Sequence, residues 1–308
     1  MFDIVITYSN SESSISRIKK EFPDKNKYEL KKLEFFFREA NYFKYWFRSI
    51  ETFLPSFNKI FFITAEEIPE WLNINNEKIK IVKHEDFINK KYLPSFNSQA
   101  IELNIPKIKE LSEQFIYFND DMFLLQNSSE EDWFKDGLIL DFKEYENLND
   151  IATKKNSFLC GIRGNNMRLI LRQKEISSKD FDNNVFINQH LPQPLLKSAC
   201  DEIFYLYGDK LENTFLSKFR NAEDQYNQYL FRDYLLLNDC FYDKKRSGKK
   251  FYINDVDNIC DYIEKQKGLS ICINDVIIKD ENLYNEYQEK IEDSFSKILP
   301  NKSSFEKS

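Results

Sequence analysis

Short, nearly continuous apolar runs punctuate the chain at Phe2 to Thr7, Lys59 to Thr64, Ile79 to Val82, Gln114 to Asn119, Ser157 to Ile162 and Leu269 to Ile273. Each has strand length and lacks the alternation of a half-exposed strand, which predicts strands covered on both faces. Between the first two, Lys27 to Leu54 follows a helical pattern with Leu30, Leu33, Phe37, Tyr45, Ile50 and Leu54 among its apolar positions, and Pro55 stops it. Strands alternating with helices predict an α/β fold with a mostly parallel sheet flanked by helices.

The C-terminal half reads as more helical. Glu202 to Lys218 and Glu223 to Asn238 carry apolar residues at three- and four-residue steps. Leu283, Tyr287, Ile291, Phe295 and Leu299 fall four apart, with Asp280 as an N-cap and Pro300 as a stop. Gln126 to Asn156 is acidic and loop-like, and Arg172 to Asn184 is polar. With no repeat and no Gly/Ser linker, the expectation is one catalytic domain over residues 1–308. Residues 1–125 would form its nucleotide and metal half, 126–186 an irregular middle, and 187–308 the half that closes the site.

A length of 308 residues is ample for a large core. The net charge of −7 excludes a dominant phosphate-backbone stripe, so nucleic acid is not an expected partner. The short basic run Lys244-Lys245-Arg246, followed by Lys249-Lys250, reads as a solvated loop, with contact to anionic lipid or an anionic polymer as the alternative. Cys160, Cys200, Cys240, Cys260 and Cys272 are scattered and contain no Cys-x-x-Cys pair, which fits reduced thiols in a cytoplasm. The first residues lack the pattern of a signal peptide, and no run is long enough to span a bilayer. Cytoplasmic residence is expected, with association with the inner face of the membrane left open.

The strongest local sign of chemistry is Phe115-Ile116-Tyr117-Phe118-Asn119-Asp120-Asp121. An apolar strand ending in adjacent carboxylates is poorly explained by packing, because a buried ionised Asp is costly unless paired or coordinated. Ligands of open parallel sheets bind beyond the carboxyl ends of strands. Hard oxygen donors there suit Mg²⁺ or Mn²⁺, which can bridge nucleotide phosphates. A strand-end Asx turn is the bland alternative. Asn274-Asp275 ends a second apolar run in the same way. Asp3 lies inside the first run, and Thr7 opens the polar loop that follows it.

His190 sits in the Pro-stiffened Asn188-Gln189-His190-Leu191-Pro192-Gln193-Pro194 and could act as a general base near neutral pH. His84, in Lys83-His84-Glu85-Asp86, reads as a satisfied surface residue. Arg38, Arg48, Arg163 and Arg220 are candidates for phosphate, which guanidinium grips in a bidentate fork. No P-loop, Gly-x-Gly-x-x-Gly or Gly-x-Ser-x-Gly occurs.

Four blocks together resemble the Stealth family, the hexose-1-phosphate transferases of capsular polysaccharide synthesis, to which the lysosomal-enzyme N-acetylglucosamine-1-phosphotransferase is related. The first is Phe2 to Tyr8. The second runs from Arg38 through Lys44-Tyr45-Trp46-Phe47-Arg48, Ile68-Pro69-Glu70-Trp71-Leu72, Leu93 to Glu102 (with Asn97 and Ser98), and Asn119-Asp120-Asp121 to Leu124. The third includes Gln189-His190-Leu191-Pro192, Lys197-Ser198, Phe219-Arg220 and Glu223-Asp224. The fourth is Cys272-Ile273-Asn274-Asp275, closing with Pro300 to Glu306. The sequence departs from the family's pattern at Tyr8, at Glu39-Ala40 and at Ala65-Glu66-Glu67, all bordering the presumed donor site.

The resemblance implies a Rossmann-like (GT-A-like) sheet and transfer of hexose-1-phosphate from a UDP-sugar to a sugar hydroxyl, with release of UMP. The acceptor would be an oligosaccharide, polysaccharide or glycolipid. Asp120, Asp121, Asn274 and Asp275 would hold the metal, with His190 as acid/base and Arg220 on the phosphate. Asp121 would also act in catalysis. Asp3, Thr7, Arg38, Arg48, Asn97, Ser98, Glu102 and Lys197 would contact substrate. Two alternatives stand beside this: a metal-dependent glycosyltransferase releasing UDP, and an inactive nucleotide-sugar-binding module.

Overall fold

A computed structural model of the chain describes residues 1–65, 67–153, 157–173, 184–220 and 225–307. Along its first part run β1 (Asp3–Thr7), α1 (Ser11–Glu21), α2 (Lys27–Phe36), α3 (Lys44–Phe53), β2 (Ile60–Thr64), β3 (Ile79–Lys83), α4 (His84–Phe87), α5 (Ser98–Asn104), β4 (Gln114–Asn119) and β5 (Met122–Leu124). The middle holds β6 (Phe134–Lys135), β7 (Leu138–Asp141), β8 (Tyr145–Asn147), α6 (Leu148–Thr153), α7 (Ser157–Gln173), β9 (Asn184–Phe186) and β10 (Gln193–Leu196). The remainder comprises α8 (Lys197–Leu216), α9 (Tyr229–Leu237), β11 (Phe241–Asp243), β12 (Gly248–Tyr252), α10 (Val256–Glu264), β13 (Ser270–Asn274) and α11 (Glu281–Ile298).

The central sheet has the order β10-β4-β1-β2-β3, parallel except for the antiparallel edge strand β10. Both faces are covered, as continuous apolar runs require. Ile4, Ile6, Phe62, Ile116 and Phe118 pack on one side with Trp46, Phe47 and Ile50 of α3. Val5, Phe61, Ile63, Phe115 and Tyr117 face the other side with Leu103 of α5 and Cys200 and Ile203 of α8. The chain leaves β1 toward β2 and β3, then returns to place β4 on the far flank of β1. The resulting switch point lies between β1 and β4, where Thr7 and Asn119 are register partners.

A second sheet, β12-β13-β5, grows directly from this point. The Asp120-Asp121 turn joins β4 of the first sheet to β5 of the second. β13 runs antiparallel to β5 with Cys272 opposite Met122, and the Ile273 amide donates to the Asp121 carbonyl at 2.9 Å. The carboxyl end of β13 therefore arrives beside the carboxyl end of β4.

Several expectations need correction. Ser157 to Ile162 is the start of helix α7, not a strand. Buried Ile162, Asn166, Leu169 and Ile170 continue at helical spacing beyond the short apolar run. Lys27 to Leu54 is two helices, α2 and α3, separated by residues 37–43. Tyr42 and Phe43 are buried at that break, and Phe43 stacks on Tyr8 at 5.1 Å. The break also brings Arg38 and Glu39 to the neighbourhood of the switch point. Gln126 to Asn156 contains β6, β7, β8 and α6, with residues 154–156 outside the described residues. Most of the polar Arg172 to Asn184 segment, Glu66, and Glu223-Asp224 also lie outside them. Lys249-Lys250 belongs to edge strand β12 rather than to a loop. No helix among the described residues is long and apolar enough to cross a membrane.

Candidate active site

The cleft at the carboxyl ends of β1, β4 and β13 collects side chains from distant parts of the sequence. Asp121 is central. Its Oδ2 lies 3.9 Å from Nε2 of His190 and accepts from the Cys272 thiol at 3.3 Å. Its Oδ1 is buried and has no hydrogen-bond partner among the described residues, nor has Oδ1 of Asn119 two residues earlier. Unsatisfied buried oxygens are expensive, so their clustering marks a place built for something more than packing.

His190 is positioned from three directions. Its backbone takes the left-handed region at φ 52°, and its amide donates to Oδ1 of Asn188 at 2.8 Å. Nδ1 lies 2.8 Å from the hydroxyl of Tyr229, the first residue of α9, which leaves Nε2 facing Asp121. Burial pushes the imidazole pKa below its ordinary value, against the opposing pull of Asp121. The ring is thus held neutral at neutral pH, with Nε2 presented as a proton acceptor when Tyr229 accepts from Nδ1–H.

Asp120 has its carboxyl pKa raised to about 8, first by burial and then by the charge of Asp121. Two adjacent carboxylates in a partly desolvated cleft cannot both ionise cheaply without a cation. Glu102 of α5 is raised to about 7 by burial, against Arg220 and hydrogen bonds from Ser98 and Tyr117. Arg220 donates to Oγ of Ser98 at 2.6 Å, which fixes the guanidinium at the cleft mouth within the fields of Glu102, Asp120 and His190. Thr7 closes the floor, its Oγ1 3.2 Å from the Tyr117 hydroxyl.

Thr7, Ser98, Glu102, Asp120, Asp121, His190, Arg220 and Asn274 are therefore brought together. Asn274 ends β13 with its Oδ1 3.1 Å from the Cys272 thiol. Asp275 and Arg38 stand behind this layer. The Asp275 carboxylate accepts from the Tyr284 hydroxyl at 3.2 Å and from the Val276 amide at 2.7 Å. Arg38 lies over the rings of Phe35 and Tyr284 and donates to the Ile278 carbonyl.

Four of the expected substrate residues are elsewhere. Asp3 begins β1, whereas Thr7 ends it, so about 13 Å of strand separates Asp3 from the cleft. Its buried carboxylate accepts from Asn58 Nδ2 and from the amides of Lys59 and Ser112, tying loops at the opposite edge of the sheet. Arg48 is paired bidentately with Glu306 at 2.7 and 2.8 Å and also donates to the Leu299 carbonyl, anchoring the C-terminal segment. Asn97 caps α5 and donates to the Thr214 and Ser217 carbonyls. Lys197 donates to the carbonyls of Ile108, Lys109 and Leu111. Arg163 pairs with Glu146 instead of facing the cleft. His84 is also not a satisfied surface group. Its half-buried ring sits edge-on to Phe87, Nδ1 has no hydrogen-bond partner among the described residues, and burial beside Arg17 lowers its pKa to about 4.

Other residues join the site without having been given a role there from the sequence, Glu39 having been noted only as a departure bordering the donor site and Lys250 only as part of a basic run. Glu39, in the break between α2 and α3, lies near Tyr8 and Asp120, and its charge raises the pKa of both; burial raises its own. Lys250 is the register partner of Cys272 on the neighbouring parallel strand, so both side chains share one face of the sheet. Its ammonium acts on both Cys272 and His190. Tyr229 carried no sequence signal at all. Lys250 had one in the strand-like alternation of Gly248 to Ile253.

Among the described residues, the acidic, His and Cys side chains whose ligand atoms come within 4.8 Å of one another are Asp121, His190 and Cys272. The unpartnered Oδ1 of Asp121 is the kind of hard oxygen donor that a divalent cation takes. Burial and the Asp121 charge push the Cys272 thiol well up, and the thiol donates to Asp121 Oδ2.

Residues 36–140 match the family described as Stealth protein CR2, conserved region 2. The chain is 34% identical to the capsular polysaccharide phosphotransferase WcwK of Streptococcus pneumoniae, over 99% of this chain and 98% of that protein. It is 32% identical to the exopolysaccharide phosphotransferase cps2G of Lactiplantibacillus plantarum, over 88% and 86%. It is 33% identical to the receptor polysaccharide phosphotransferase WefC of Streptococcus gordonii, over 88% and 87%. With similarity running the length of the chain and the acidic cleft inside the matched region, the protein belongs to the Stealth family.

Proposed function

We propose that the protein is a polysaccharide phosphotransferase that moves hexose-1-phosphate from a UDP-sugar to a hydroxyl of a glycan acceptor, releasing UMP. The observation that carries this reading is the convergence of Asp120, Asp121, His190 and Arg220 on one cleft at the switch point. The relatives named as polysaccharide phosphotransferases support the reaction class, and the UDP-sugar donor is what the family resemblance implies.

In this reading the acceptor oxygen attacks the β-phosphorus of the donor. The bond from that phosphorus to the bridging oxygen breaks, and the electron pair leaves with UMP. Nε2 of His190 takes the hydroxyl proton, and Tyr229 at Nδ1 steadies the imidazolium that forms. Arg220, braced by Ser98, and Lys250 face the phosphates as fixed positive charges, which stabilise charge spread over the transferring group. Mg²⁺ or Mn²⁺ would be held by Asp120, Asp121 and Asn274, and when bound would neutralise phosphate charge. Glu39 and Tyr8 line the acidic side of the cleft.

The test is to incubate the protein with a panel of UDP-sugars, Mg²⁺ and a glycan acceptor, and to follow the product by phosphorus NMR. A new phosphodiester resonance, lost in His190→Ala and Arg220→Ala at unchanged melting temperature, is expected. Normal turnover in both variants would remove the assignment.

A further inference from the structure

Helices α1 and α2 form a hairpin outside the central sheet, between the polar loop after β1 and the break that carries Arg38 and Glu39. Asn10 caps α1 at that loop, its Oδ1 accepting from the Ser13 amide at 3.0 Å. The far end of α1 is Phe22, whose amide donates to the Ile18 carbonyl at 2.8 Å. Ile15, Ile18 and Phe96 make a small apolar cluster of their own, with Phe22 and Phe219 packed against it. Phe219 is the residue before Arg220.

Three rings meet there. Phe219 stacks on Phe96 with centroids 5.7 Å apart and planes 13° from parallel. Phe22 meets both edge-on, at 5.2 Å from Phe219 and 6.1 Å from Phe96. The Lys25 ammonium stands 4.1 Å from the Phe219 centroid. The chain just before Phe219 is tied by its backbone: the Phe96 amide donates to the Lys218 carbonyl at 3.0 Å, and Asn97 Nδ2 to the Ser217 carbonyl at 3.2 Å. At Phe219 the hold passes to the ring, helped by Ser217 Oγ, which donates to the Phe219 carbonyl at 2.9 Å.

Arg220 is exposed, and its hydrogen bond among the described residues goes to Ser98 Oγ at 2.6 Å. A long cationic side chain in that setting keeps one direction only by giving up rotamer freedom, so its backbone has to be fixed. The Phe219–Phe96 stack and the Arg220–Ser98 bond are neighbouring rungs between the same two chain segments. Phe22 closes the side of the first rung, one residue from the guanidinium that the second rung holds.

We propose that Phe22 is a positioning residue for Arg220. It acts through Phe219: by keeping the stack shut it fixes the backbone at residue 220, so that the guanidinium stays at Ser98 and faces the cleft. Because α1 starts at the loop after Thr7, one helix links the exit of β1 to the arginine. The kinetic consequence rests on the phosphotransfer reading above.

The test places Phe22→Ala in the wild-type protein and in an Arg220→Ala background. With a UDP-sugar, Mg²⁺ and a glycan acceptor, Phe22→Ala should lower kcat roughly tenfold, the scale of one lost aromatic pair, and leave KM for the donor within about twofold. In the Arg220→Ala background the same change should cost less than about twofold, because no guanidinium is left to position. Equal losses in the two backgrounds overturn the proposal. A second arm needs no turnover. The heteronuclear NOE at Nε of Arg220, assigned by its disappearance in Arg220→Lys, reports how firmly the side chain is held. It should be high in the wild type and fall toward that of a free arginine in Phe22→Ala, while Arg48 and Arg232, paired with Glu306 and Asp141, keep theirs. Phe22→Leu retains an apolar contact without the ring, and its loss should be intermediate; it replaces Phe22→Ala if Arg48 and Arg232 loosen as well. An unmoved value at Arg220, or one already low in the wild type, refutes the positioning role even if no UDP-sugar is consumed.

Discussion

Replacing Tyr229 with Phe removes one oxygen and nothing else from the packing around His190. The hydroxyl lies 2.8 Å from Nδ1, and the ring is otherwise held by the Asn188 contact to its backbone and by the field of Asp121. Losing the hydroxyl leaves Nδ1 in a buried position without a partner, which costs about 1–3 kcal/mol. The penalty grows in the transition state, when Nε2 has taken a proton and Nδ1–H needs an acceptor. At about 1.4 kcal/mol per decade, kcat should fall roughly 10- to 100-fold, with KM for the donor little changed. The acidic limb of the pH profile, which in the wild type should lie below the ordinary imidazole value because burial disfavours the charged ring, should move further down. Turnover is measured from pH 5 to 9 with thermal melts in parallel. Full activity with an unmoved acidic limb would show that Tyr229 does not orient the base, and that His190 is held for another purpose.

Three other outcomes are expected. Asp3→Asn should lower stability by about 1–3 kcal/mol, because one of three amide contacts meets the wrong group, yet leave the donor KM unchanged; a raised KM with an intact fold would return Asp3 to the donor site. Gly248→Ala should reduce kcat several-fold, since its Cβ would collide with Leu191 Cδ1 at 2.5 Å and Ser270 Oγ at 2.7 Å and displace the His190 loop; steady-state kinetics with a melt checks it. Asp233 in α9 has its carboxyl pKa raised to about 7, first by burial and in spite of Arg232. Between about pH 4 and 7 the folded state keeps this proton while the unfolded state has lost it, so its contribution to stability falls as pH rises. Denaturant titrations should show Asp233→Asn gaining on the wild type by up to about 1 kcal/mol per pH unit across that window.

The central sheet was legible because its strands are covered on both faces, which writes them as unbroken apolar runs ending in polar groups. The Asn119-Asp120-Asp121 terminus was legible for the same reason. Helix α7 was misread because its first turn is as apolar as a strand, and only the spacing beyond Ile162 reveals its period. Asp3 was placed at the site by the family resemblance, although its position at the amino end of β1 put it on the wrong edge of a parallel sheet. Arg48 and Lys197 resemble phosphate ligands in the sequence. Their partners, Glu306 and the carbonyls of residues 108–111, lie too far away along the chain to be guessed. Tyr229 and Glu39 are placed by tertiary packing. Lys250 was hidden in a run of lysines until pairing set it opposite Cys272.

The most direct measurement follows the β-phosphorus of the donor. With a UDP-sugar labelled at that atom, Mg²⁺ and a glycan acceptor, attack within the Asp121–His190–Arg220 cleft at phosphorus puts the label in the glycan product and leaves unlabelled UMP. Label recovered in released UDP would mean that the sugar–oxygen bond breaks instead, and would contradict the account.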